Sequence, residues 1–463
     1  MPSYSNTVQY LESFINYEKI PEYPYKDSLK INRIQEFLAK IGNPQRHLKC
    51  VHIAGTKGKG STCAFIAYIL REAGFKVGLY TSPHLTDFRE RIRILKPGKS
   101  GRTQYAKCAT TQYDFEGLIS KRQLSGLVKR LKPAIQSYNR ASKYGPLSFF
   151  EVYTALAFMH FMKNKVDFAV LETGLGGRLD ATNTTDPLVC ALTPISYEHT
   201  QKLGNTLREI ATEKAGIIKV RSTEYRLEST MHKVQSPIII SAPQEKEAME
   251  VIRKKCREKK AKLYEVGKDI LYRETKKGAA IKGLCASYSA LKIPLIGKHQ
   301  LINAAVAVAA VEALRFKGVS VTKKPIIEGL RKTLWPGRCE IVSRNPLIVL
   351  DGAQNNASAQ ALKQTIQANF RYNKLILVFG VSKDKDIEGL TQELRDLADM
   401  VILTKADNPR AAEPKDLIKY FPFKEVILTR SVTQSKEYAL RLAEKGNMIL
   451  VTGSLFILGE FRA

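Results

Sequence analysis

The stretch Val51 to Thr62, VHIAGTKGKGST, constrains this chain more than any other. A β-branched run ends at Ala54. Gly55, Gly58 and Gly60 then alternate with Thr56, Lys57, Lys59 and Ser61, and a helical pattern follows. Strand, glycine-rich turn and helix together aim backbone N–H groups and a helix N-terminus at a phosphate. The glycines permit close backbone approach, a lysine neutralises phosphate oxygens, and a hydroxyl at the helix start reaches a phosphate or a magnesium ion. The spacing departs from the general Gly-x4-Gly-Lys-Ser/Thr pattern, because Gly60 separates Lys59 from Ser61. Taken alone, the stretch also fits an ordinary strand–helix turn.

The rest of the chain supplies the context. Its 463 residues exceed what one core usually serves, so two domains are expected. Trp335-Pro336-Gly337-Arg338 marks the boundary, giving residues 1–335 and 336–463. Beyond it, strands and helices alternate regularly: strands at 347–350, 375–379, 400–404, 425–428 and 448–452, helices at 358–369, 387–397, 414–420 and 431–444. That alternation predicts an α/β fold in which a smaller, doubly wound, mostly parallel domain follows a phosphate-loop ATPase domain. In the first part, residues 4–41 read as two short amphipathic helices. Helices are expected at 61–73, 147–161, 206–218 and 299–316, and strands at 50–54, 77–80, 168–171 and 189–193. Residues 96–116 have no clear period and read as a surface insertion.

Open α/β sheets bind ligands beyond the C-terminal ends of their strands. Ser82 follows one such strand, and Glu172 ends another before the glycine-rich run Thr173 to Asn183. Glu198 and His199 follow a third, and Asp351, Lys383 and Ser454 stand at strand ends of the second domain. Glu172 and His199 on one sheet edge can offer oxygen and imidazole ligands to Mg²⁺ or Mn²⁺, or can be solvated loop residues.

Composition narrows the function classes. The chain carries 74 Lys and Arg against 44 Asp and Glu, a net charge of +30. A polyanionic partner follows from that imbalance, yet no nucleic-acid module is present and the cations are spread along the chain. Binding to DNA or RNA is therefore expected to be weak, without sequence preference, and to fade steeply with salt. Tight sequence-selective binding at physiological salt, measured by filter retention, would overturn this. No apolar run is long enough to span a membrane, and no signal-peptide layout opens the chain. Seven scattered cysteines lack metal spacing, which suits a reduced, cytoplasmic protein.

With these segments in hand, the chain resembles the folylpolyglutamate/dihydrofolate synthase branch of the Mur ligase superfamily. The resemblance rests on HIAGTKGKGST, TSPHL, FRERIRI, SFFEVYTALAF, LETGLGGRLDATN, EHTQKLGNTLREIATEKAGIIK, GKHQLINAAVA, WPGRCE, LDGAQNN, FGVSKDKD, NPRAAEP and VTGSLF, in family order over nearly the whole length. It implies an ATP-dependent ligase that joins a folate γ-carboxylate to L-glutamate through an acyl phosphate, with dihydropteroate as a second acceptor left open. It implies ATP contacts at Gly58, Lys59, Gly60, Ser61, Thr62, Asn303, Arg338 and Asp351, with Lys59, Glu172, His199, Lys214 and Arg338 in the chemistry. Two Mg²⁺ ions would be held through Ser82, Glu172, His199 and a carbamylated Lys214, and glutamate by Lys383 and Ser454. A cytoplasmic monomer with small-molecule partners is expected. Two departures stand out: Glu198 replaces the usual Asp before the metal-binding His, and Gln354 replaces a His that can carry a proton, which Gln cannot.

Two other readings compete. A cell-wall-precursor ligase would carry its own nucleotide-sugar domain ahead of the phosphate loop, and 54 residues before Gly55 are too few for one. A phosphate-loop protein that only binds polyanions would have no need of the set Ser82, Glu172, His199 and Lys214.

Overall fold

The computed structural model describes residues 3–20, 23–98, 115–220, 226–227, 230–231 and 236–462. Most of the 96–116 insertion lies outside the described residues.

A seven-stranded sheet forms the first core. Its order is Ile92–Leu95, Val77–Tyr80, Phe168–Glu172, Cys50–Ala54, Val189–Leu192, Ile238–Ser241, Leu263–Glu265. Only Ile92–Leu95 runs antiparallel. The phosphate-loop strand is thus central, with Cys50 opposite Ala169 on one side and Val51 opposite Val189 on the other. Parallel sheets are covered on both faces, which is why these strands read as apolar runs. Side chains alternate between the faces. Val51, Ile53, Leu79 and Val170 pack with helices Lys59–Glu72, Lys298–Ala313 and Lys323–Lys332. Cys50, Tyr80, Ala169 and Leu171 pack with Ile31–Lys40, Lys121–Ala141 and Phe149–Lys163. The alanines of Lys298–Ala313 let it lie close against the phosphate-loop helix, and both are almost wholly buried.

The second sheet has six strands in the order Glu340–Arg344, Leu347–Asp351, Met448–Thr452, Leu375–Phe379, Met400–Leu403, Glu425–Leu428. All pairs are parallel except the first. A small antiparallel sheet, Leu271–Thr275, Gly278–Lys282 and Ser287–Leu291, packs beside Lys298–Ala313. Among the described residues, no helix is long and apolar enough to cross a membrane.

The expected helices and strands are present with shifted ends: the phosphate-loop helix starts at Lys59, and the helix expected over 206–218 ends at Lys214 before a short tight turn. The N-terminal part has three helices, Tyr4–Glu12, Tyr25–Ser28 and Ile31–Lys40, where two were expected. Other elements were not expected. Helix Lys121–Ala141 holds Pro133, whose ring argues against a helix interior. Its Ser120/Gln123 capping box and the buried series Leu124, Leu127, Val128, Leu131, Ile135 override that signal. Strand Ile92–Leu95 is hidden in sequence by buried arginines: Arg91 pairs with Glu18 at 2.8 and 2.5 Å, and Arg93 Nε donates to the Glu116 carbonyl, while its Nη1 is buried without a hydrogen-bond partner among the described residues.

Candidate active site

The C-terminal edges of the two sheets face each other across a cleft of about 520 Å³. One wall begins at the phosphate loop. Gly55 has φ 149°, and a Cβ there would lie 1.9 Å from Thr193 Oγ1. Gly58 has φ 81°, and a Cβ there would lie 2.2 Å from Asn303 Oδ1. Both positions need glycine, by conformation and by space. The Thr56 and Lys57 N–H groups donate to the Pro194 carbonyl, which pins the loop to the neighbouring strand. Lys59 opens the helix, and its Nζ donates to the Thr56 carbonyl at 3.4 Å, a long bond that leaves the cation available to an anion.

Gly58, Lys59, Gly60 and Ser61 line the cleft, as do Ser82, Glu172 and His199. The opposite wall contributes Arg338, Asp351 and Ser454, and Asn303 lies between them. Three expected residues stand elsewhere. Thr62 is fully buried one residue behind the wall, its hydroxyl without a partner among the described residues. Lys214 is buried and donates from Nζ to the Gly55 carbonyl at 2.8 Å, so it sits behind the phosphate loop. Lys383 is exposed and outside the cleft. It follows Ser382, which bridges Ala411, and stands in a turn that the Lys385 N–H closes by donating to the Ser382 carbonyl at 3.1 Å. The two ends of that turn, Ser382 and Lys385, line the cleft, while Lys383 projects from its exposed side.

The electrostatics follow from burial. Glu172 is about 5 % exposed; burial pushes its carboxyl up, while Lys59 and the Ser82 N–H (3.1 Å) oppose this. Burial also raises Asp351, which accepts from the Cys339 and Ala353 N–H groups. His199 is held down at about 3, chiefly by burial, so its imidazole is neutral. Lys214 falls to about 7, again mainly through burial, with Lys59 adding repulsion.

Among the described residues, no three His, Cys, Asp or Glu side chains converge as a ready-made metal site. Magnesium does not require one, because it is commonly held by one or two carboxylates plus phosphate oxygens and water. A buried carboxylate at Glu172, with Ser82 beside it, fits that mode.

Sequence reasoning missed several residues of the cleft. Asp180 accepts from the N–H groups of Gly174 and Leu175 at 2.8 and 3.0 Å and so shapes the glycine-rich run after Glu172. Its place two residues before Thr182, whose N–H it also caps, was the available signal. Glu18 and Tyr23 of the N-terminal segment line the cleft, and the Glu18 carbonyl accepts from Arg410 of the second sheet's loops at 2.6 Å. No local pattern announces such long-range contacts.

The chain matches the Mur ligase middle domain over residues 109–311 and the Mur ligase glutamate ligase domain over residues 337–455. It is 33% identical to the dihydrofolate synthase/folylpolyglutamate synthase of Bacillus subtilis over 93% of this chain and 94% of that one. With the folylpolyglutamate synthase of Lacticaseibacillus casei it shares 30% identity over 99% and 98% of the two chains. A Mycobacterium tuberculosis folylpolyglutamate synthase solved with ADP superposes with TM-score 0.84 at 28% identity, covering 99% of this chain and 97% of that one. E. coli FolC in complex with DHPP and ADP superposes with TM-score 0.80 at 28% identity, covering 100% and 98%. The chain therefore belongs to the folylpolyglutamate synthase/dihydrofolate synthase family of Mur ligases.

Proposed function

We propose that this protein is an ATP-dependent ligase that adds L-glutamate to the γ-carboxylate of a folate. The observation that carries this reading is the pairing of a phosphate loop on one cleft wall with Arg338, Asp351 and Ser454 on the other. Two anions, a carboxylate and a triphosphate, must meet, so cations and N–H donors have to outweigh their repulsion. Gly58, Lys59, Gly60 and Ser61 hold the triphosphate, Asn303 and Asp351 orient the nucleotide, and Arg338 adds charge from the opposite sheet. The folate carboxylate attacks the γ-phosphorus and ADP leaves. The glutamate amine then attacks the acyl carbon, loses a proton, and expels phosphate. Ser454 stands where it can orient the amino acid, and Lys385, rather than Lys383, is the lysine of its loop that faces the cleft.

Glu172 and Ser82 would hold a magnesium ion against the phosphates, and neutral His199 with Glu172 a second. The ions supply charge neutralisation at the transferring phosphoryl group. A heavy-oxygen label in the folate γ-carboxylate tests the acyl phosphate: it should appear in released phosphate, and unlabelled phosphate would refute that intermediate. The same assay with dihydropteroate and tetrahydrofolate side by side decides whether both acceptors serve.

Lys214 is proposed to carry a carbamate in the active enzyme. A free ammonium would repel a neighbouring metal, whereas the carbamate offers carboxylate-like oxygens. Its amine nitrogen bonds to the carbon of CO₂ and releases a proton, which requires the neutral amine that burial favours here. Lys214→Ala should lose activity that short carboxylic acids partly restore, and intact-protein mass under CO₂ should show the adduct in the parent alone. An active alanine variant would refute the proposal.

A further inference from the structure

Glu198 has no role in the scheme above, yet its carboxylate gathers donors from both walls of the cleft. Lys57 Nζ, from the phosphate loop, lies 3.1 Å from its Oε1. Lys385 Nζ, from a loop of the second sheet, lies 3.8 Å from the same oxygen. Asn355 Nδ2, also from the second sheet's loops, donates to it at 3.2 Å. The Glu198 and Lys385 side chains are shielded from water, at 10% and 11% exposed, and Lys57 is part-exposed. Asn355 is itself anchored, because its side chain caps helix Asn356–Asn369 by accepting from the Ser358 N–H at 3.0 Å. The turn that carries Glu198 is strained, with His199 in the left-handed region at φ 54°, a conformation that persists where surrounding contacts dictate it.

We propose that Glu198 is a positioning residue that couples closure of the two sheets to the setting of the phosphate loop. One carboxylate satisfies Lys57, Lys385 and Asn355 together only when the walls are closed. If the sheets part, Lys385 and Asn355 withdraw and Glu198 keeps Lys57 alone. The two lysines of the loop then have different tasks. Lys57 holds Glu198 in both states and shares it with the second sheet on closure, while Lys59 remains free for the phosphates. The loop thereby senses the second sheet before any chemistry begins.

The kinetic part of this inference rests on the ligase reading, and the scattering part does not. The full-length protein is compared with Glu198→Gln, Lys385→Met and their double variant. Small-angle scattering with the non-hydrolysable analogue AMPPCP should show a larger radius of gyration for each variant than for the parent. The KM for ATP should rise on the order of tenfold or more in each single variant, since each removes one side of the charged contact between the walls. The double variant should cost little more than either single change, the signature of one shared interaction. Glu198→Asp, one methylene shorter, should keep Lys57, lose Lys385 and fall between. Parent-like scattering and KM in the single variants, or costs that multiply in the double variant, would overturn the proposal. If Glu198→Gln does not fold, Lys385→Met on the opposite sheet carries the test. A parent without ligase turnover would sink the functional reading, and the scattering would still decide the coupling.

Discussion

Arg338→Ala should lower turnover by about 10³-fold at saturating ATP, the scale on which a cationic contact to a transferring phosphoryl group acts. Arg338 follows the Pro336–Gly337 turn where the chain enters the second sheet, and its side chain lines the cleft. Its Nη1 donates to the Gly337 carbonyl at 2.9 Å, and among the described residues no carboxylate lies within ion-pair distance of it. Its field still reaches both walls: burial raises the Glu172 and Asp351 carboxyls, and Arg338 opposes that rise at both. A guanidinium so placed has donors to spare for a phosphate that arrives between the sheets. The loss should fall on kcat more than on the KM for ATP, because the contact forms as charge develops on the γ-phosphate. Arg338→Lys should recover only part of the rate, since a point charge lacks the bidentate fork. Unchanged steady-state turnover in Arg338→Ala would rule out a role across the cleft.

Lys59→Ala should cost on the order of 10²-fold in turnover by removing a fixed charge from the phosphate site. Lys59 opens the helix that follows Gly58, lines the cleft, and among the described residues is held by a long bond to the Thr56 carbonyl. Its neighbour Lys57 is engaged by Glu198 and cannot substitute without breaking that pair. ADP release measured at saturating substrates checks the expectation. Near-parental rates in Lys59→Ala would remove the phosphate loop from the mechanism.

What could be read in advance follows the range of the forces involved. The phosphate loop was legible because its determinants are local: glycines at Gly55 and Gly58, a lysine, and a helix that starts at once. The alternation of strands and helices after Trp335 was legible for the same reason, since parallel strands buried on both faces must be apolar throughout. Strand Ile92–Leu95 escaped because buried arginines, held by Glu18 and the Glu116 carbonyl, masked its pattern. Helix Lys121–Ala141 was obscured by Pro133. In the cleft, the choice between Lys383 and Lys385 depended on a turn from Ser382 to Lys385, whose exact placement the sequence does not announce. Glu198 stood out in the sequence only as a departure from family usage. Its partners Lys57, Lys385 and Asn355 are brought together by the meeting of the two sheets, and no spacing rule encodes that.

Purified protein offered ATP, Mg²⁺, L-glutamate and tetrahydrofolate, with each omitted in turn, tests the central claim most directly. Release of ADP and phosphate should require every component and should match, mole for mole, formation of a folate heavier by one glutamyl unit. ADP release that continues without folate or glutamate, with no glutamylated product by mass spectrometry, would contradict it.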